Sequence, residues 1–151
     1  MVVPFDAVAA ILILLAMALS TMPRQAAIAI CLIASVAGTG ADYLLSGVFA
    51  YYTFILIELT AFLAIMVWIQ KLKDPKEKNF FRLIAGMLLA SLTVTYCYTF
   101  DWYAFSAYLM LSKFVAITHI AIMLVYSNGF QSLIGRVSAL LHNRGGGRVV
   151  H

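Results

Sequence analysis

Charge is scarce in this sequence. Only 11% of its 151 residues are Asp, Glu, Lys or Arg, while 64% are hydrophobic and the mean hydropathy is +1.00. Soluble domains carry about 25% charged and about 45–50% apolar residues. They also break their apolar runs after roughly 10–14 residues, and the runs here are longer. An ordinary water-soluble fold is therefore excluded. Motifs that carry chemistry are missing too. There is no Gly-rich phosphate loop after a strand, no Gly-x-Ser-x-Gly elbow and no paired His/Cys spacing of a metal site. No segment between the apolar runs is long enough to form a soluble domain. A soluble catalytic or nucleic-acid-binding role has no residues to carry it, so no enzyme activity, cofactor or metal is expected. An intramembrane enzyme would have to draw on Glu58, Lys113, His119, Ser112, Thr93 and the cysteines. The two cysteines, Cys31 and Cys97, read as small apolar residues at different depths, with no disulfide between them. A positive n-region is also missing: the first residues hold no Lys or Arg and carry Asp6, so they do not read as a cleaved signal peptide.

What is present is a set of five apolar segments, at residues 3–22, 25–45, 48–69, 83–100 and 103–126. Each is about 18–24 residues, enough to cross roughly 30 Å as a helix. Helices are the expected solution, because lipid offers no hydrogen bonds to the backbone. The connections are short, so consecutive segments should be antiparallel neighbours. The expectation is an all-α, polytopic integral membrane bundle of five transmembrane helices over residues 1–126, followed by a basic tail over 127–151. A four-span arrangement, with the first two segments re-entrant or two segments merged, is the competing count.

Charge placement orients the bundle. With the N-terminus outside and the C-terminus cytoplasmic, the inner segments hold Arg24, Lys71, Lys73, Lys76, Lys78, Arg82, Arg136, Arg144 and Arg148, nine of the ten basic residues. The outer ends carry only Asp6, Asp42 and Asp101. This arrangement satisfies the positive-inside rule. Its default setting is the bacterial inner (plasma) membrane. Aromatic residues agree with it: Tyr43, Phe49, Tyr51, Tyr52, Tyr96, Tyr98, Phe100, Trp102, Tyr103 and Phe105 gather at the outer ends as an interfacial belt, and Trp68, Phe80 and Phe81 mark the inner boundary. Asp42 and Asp101 at the outer rim read as solvated helix ends, with cation attraction as the alternative.

The inner segments have local signals of their own. Asp74-Pro75-Lys76-Glu77 reads as an N-cap, a first-position proline and a third-position glutamate, so the fourth helix should start there. Leu133, Val137, Leu140 and Leu141 share one helical face. A short basic amphipathic helix on the inner surface is expected, with Arg144-Gly-Gly-Gly-Arg148 flexible behind it. The basic residues of the loop and tail are the candidates for contact with anionic lipid headgroups, worth about 1 kcal/mol each near the surface; a solvated stop-transfer tail is the alternative.

Glu58, Lys113 and His119 lie deep within the apolar segments. A charged side chain at mid-span costs about 2.5–3.5 kcal/mol on insertion scales, so Glu58 needs a partner, a proton or a task. Glu58 and Lys113 each lie about 15 Å in from an outer end, and Thr93 reaches the same depth. The expectation is a Glu58–Lys113 contact, direct or through water, with Thr93 as a candidate neighbour; pairing with the same residues of another copy is the alternative. His119 lies a turn and a half deeper, bonded to a backbone carbonyl or hydroxyl. With no second histidine in a span, bis-histidine haem ligation within one chain is excluded. Small residues line two faces: Ala27, Cys31, Ala34, Gly38 and Asp42 in the second segment, and Gly86, Ala90, Thr93 and Cys97 in the fourth. They permit close approach of helices inside the bundle or between copies.

Two functional classes follow. The first is a small oligomer-forming membrane protein, a pore-former that is holin-like in gross features or a structural subunit of a membrane complex. The second is a proton- or ion-translocating channel or transporter subunit that uses the mid-span Glu58 and Lys113. A stand-alone secondary transporter fits less well, since five segments show no repeated halves.

Overall fold

A computed structural model describes residues 5–45, 47–100 and 104–145. The expectations for Asp101, Trp102, Tyr103, Arg148 and the stretch 146–147 lie outside these residues, as do the side chains of Asp6, Asp42, Tyr43, Leu141 and Arg144. Six helices make up the described chain: α1 (Phe5–Ala18), α2 (Met22–Leu44), α3 (Val48–Lys71), α4 (Pro75–Thr99), α5 (Phe105–Val125) and α6 (Asn128–Gly145). Four of them are long and apolar enough to cross a membrane, over Met22–Ala41, Phe49–Lys71, Pro75–Thr99 and Phe105–Val125. α1 is apolar but has only 14 residues, or about 21 Å of helix. The chain is thus an all-helical membrane bundle with four spanning-length helices and a shorter fifth.

The sequence accounts for the breaks. Pro23 in the first turn of α2 has no N–H to lose there, whereas it would disrupt a continuous α1–α2 helix. The start of α4 falls where the local signals place it: Asp74 caps it, its Oδ1 accepting from the Lys76 N–H at 2.9 Å, and Pro75 follows. Five threonine hydroxyls within the apolar helices are satisfied on the spot. Thr39, Thr60, Thr93, Thr99 and Thr118 each donate to the carbonyl four residues back, at 2.8–3.0 Å.

α1 packs on α2 and α5, α2 on α3, α3 on α4 and α4 on α5, with α2 and α4 touching as well. The five helices therefore close into a ring. Short connections make chain neighbours antiparallel, and in an odd ring one adjacent pair must be parallel. That pair is α1 and α5, and their C-terminal ends meet: the Gly129 N–H donates to the Leu19 carbonyl at 2.7 Å. A Cβ at Gly129 would stand 3.0–3.2 Å from Leu19. Inside the ring lie Ile13, Ala16, Ala27, Ile28, Ala61, Ile65, Phe80, Phe81, Ile84, Leu88, Ile120 and Met123. Large apolar residues such as Ile33, Leu56, Met110 and Phe114 face outward and are well exposed, as a lipid-facing surface requires.

The two small-residue faces separate. Ala27, Cys31, Ala34 and Gly38 of α2 are buried. A Cβ on Gly38 would collide with the Phe54 ring of α3. Gly38→Ala is expected to cost about 1–3 kcal/mol from overpacking, of which better helix propensity offsets about 1. Adding Phe54→Leu should restore thermal stability in detergent, and a stable single variant would refute the close approach. On α4, by contrast, Gly86 and Thr93 are exposed, and Ala90 and Cys97 half-buried. The aromatic belt divides as well. Tyr51, Tyr98 and Tyr108 pack together across α3, α4 and α5, with ring centroids 4.4–6.0 Å apart. Phe49, Tyr52, Tyr96, Phe100 and Phe105 remain exposed.

Candidate functional site

Buried polar groups occur at three levels along the bundle. The first is at the basic end. Arg24, in the first turn of α2, is only 4% exposed. Its Nε donates to both carboxylate oxygens of Glu77, at 3.0 and 2.9 Å, and Nη2 lies 2.9 Å from Oε1. Nη1 donates to the carbonyl of Tyr126, where α5 ends. The guanidinium also lies 5.4 Å from the centroid of the Phe80 ring, within cation–π range. One side chain thus ties α2, α4 and the α5–α6 turn together. Around it, the Thr21 N–H and Oγ donate to Asn128 Oδ1 at 3.2 and 3.1 Å. Ser127 is fully buried, and its hydroxyl donates to the Leu124 carbonyl at 2.7 Å.

Sequence reasoning read Arg24 only as a basic residue of an inner segment and Glu77 as part of a capping box, so it missed this cluster. Glu77 does occupy the third helical position, but its carboxylate bonds Arg24. The signal was available: Arg24 continues the Ala27–Cys31–Ala34–Gly38 stripe backward by one step, which puts it on the buried face.

The second level is seven residues further along α2 and α5, about 10 Å. There Cys31 Sγ lies 3.7 Å from His119 Nε2. The expected partner of His119 was a carbonyl or a hydroxyl; the observed one is a thiol from α2. Both cysteines are free.

The third level holds Glu58, which is 6% exposed. Its Oε1 accepts from the Ser91 hydroxyl of α4. Its Oε2 is buried and has no hydrogen-bond partner among the described residues. Lys113 is exposed, and the ion pair found among the described residues is Arg24–Glu77. No direct Glu58–Lys113 ion pair occurs among the described residues, and the partner of Glu58 there is Ser91. Thr93 is exposed and its hydroxyl bonds the Leu89 carbonyl at 2.8 Å. Depth along the span was the coordinate used to group these residues, and rotation about the helix axis was left out. Ile84, Leu88, Ser91 and Thr95 repeat at helical spacing on the face of α4 that looks inward, and Thr93 falls off it.

Lys113 is exposed because it shares the outward face of α5 with Met110, Phe114 and Ile117, which are 55–76% exposed. A shallow groove of about 190 Å³ on the outer surface runs between α3 and α4, lined by Ile55, Leu59, Leu92, Thr93 and Tyr96. No group of three or more His, Cys, Asp or Glu side chains suited to a metal occurs among the described residues.

Lys71, Lys73, Lys76, Arg82 and Arg136 are all exposed and Lys78 is half-buried. The contacts among Arg24, Glu77 and Tyr126 bring the ends of α2, α4 and α5 that neighbour these residues to one end of the bundle. No protein-family model, curated protein sequence or solved structure matches the chain.

Proposed function

We propose that the protein works as a subunit of an assembly within the bilayer, as an oligomeric pore-former or a structural component of a membrane complex, and not as an enzyme. The carrying observation is Lys113. It lies about 12 Å into α5, exposed on the outer surface of the bundle, with no carboxylate of the described residues in contact. A lipid-facing ammonium at that depth is costly, and such residues almost always face protein or water. A neighbouring chain supplies the first. The outward Gly86–Ala90–Thr93 face of α4 and the groove beside it offer close approach for a partner helix. Positive residues at one end favour placing that end in the cytoplasm, in a bacterial inner membrane.

The test is the state of the protein after mild extraction. Native mass spectrometry of wild type is expected to show an oligomer or a stable complex. Lys113→Met should shift it towards the single chain, while Leu109→Met should not. A wild-type protein that is monomeric and unaccompanied at all concentrations would end this reading and leave Lys113 snorkelling to the interface.

A second reading rests on Glu58. A buried carboxyl with one oxygen left over is the kind of group that can receive a proton or a cation during transport. It requires flux in proteoliposomes that Glu58→Gln abolishes.

A further inference from the structure

We propose that α6 is an interfacial helix, seated at the boundary of headgroups and acyl chains in the anionic leaflet at the basic end of the bundle. It goes beyond the assembly reading and does not depend on Lys113. Leu133, Ile134, Val137 and Leu140 recur at spacings of three and four and form one stripe. All four are 48–66% exposed, so nothing in the described chain covers them. α6 meets the bundle at its first turn, through Asn128 and Gly129. Beyond that turn, residues 131–140 are all exposed.

The occupant is identified by continuity and charge. α6 leaves directly from the end of α5, a helix of spanning length, so its apolar stripe emerges at the membrane boundary. The same end presents Lys71, Lys73, Lys76 and Arg82. Arg136 lies three residues after Leu133 and four before Leu140, on the border of the stripe, where a guanidinium can reach lipid phosphates. No Asp or Glu occurs between Trp102 and His151, so nothing acidic on this segment opposes an anionic surface. Helices of this kind seat their apolar face about 5–10 Å into the interface.

The experiment uses the full chain in nanodiscs of anionic phospholipid holding one copy each. Single cysteines are introduced at Gln131, Leu133, Val137 and Ser138, and reaction with a water-soluble maleimide is timed. The wild-type chain, with Cys31 and Cys97 in its helices, is the blank. Leu133→Cys and Val137→Cys are expected to react about tenfold more slowly than Gln131→Cys and Ser138→Cys. Zwitterionic discs, or Arg136→Glu, should speed labelling at 137 several-fold. Equal rates around the helix would overturn the proposal. So would protection seen only when several copies share a disc, which would make a second chain the occupant. Insensitivity to lipid charge would overturn its electrostatic half.

Discussion

Arg24→Ala should lower the stability of the bundle by about 3–5 kcal/mol, the range for removing one partner of a buried ion pair. The reason is what the substitution leaves behind. Glu77 is only 13% exposed, and without the guanidinium its carboxylate is uncompensated at a junction of three helix ends. The Tyr126 carbonyl loses its donor as well. Arg24→Lys should recover little, because an ammonium cannot reproduce the forked contact with both oxygens. The double variant Arg24→Met, Glu77→Leu should recover most of the loss, since no charge then remains buried. Lys76→Ala, at an exposed neighbouring position, is the control and should change stability by less than about 1 kcal/mol. Unfolding in mixed micelles measures all four. An Arg24→Ala protein within 1 kcal/mol of wild type, a bound set by the value of exposed pairs, would show that the cluster does not hold the helix ends together.

Glu58 gives the second large effect, and here the order of variants matters more than any single value. Ser91→Ala leaves both carboxyl oxygens without a partner among the described residues and should cost about 1–2 kcal/mol. Glu58→Met keeps the approximate volume and removes the leftover oxygen, so it should be at least as stable as wild type. A Glu58→Met protein less stable than Ser91→Ala would mean that the acid holds α3 to α4. The expected order makes Glu58 a group retained at a cost to stability, which points to a task in function. Flux measured for Glu58→Gln then distinguishes translocation from assembly.

Much of the architecture was legible without coordinates. The apolar runs and breaks place α2, α3, α5 and the end of α4 within a few residues, because a backbone in lipid has few alternatives to helix. Asp74 and Pro75 fix the start of α4, because a cap and a missing N–H are local effects. Leu133, Val137 and Leu140 reveal the stripe on α6, because period alone carries it. The site was less legible. Glu58, Lys113 and Thr93 share a depth, yet the structure buries the first and leaves the other two exposed.

The sequence by itself determined that this chain folds into apolar helices and roughly where α2 to α5 lie. Those properties depend on period, length and neighbours in the chain. Only the tertiary structure decided that Glu58 meets Ser91, that Arg24 meets Glu77 and that Cys31 meets His119. Each of those pairings depends on the rotation of one helix against another, which packing of the whole ring sets.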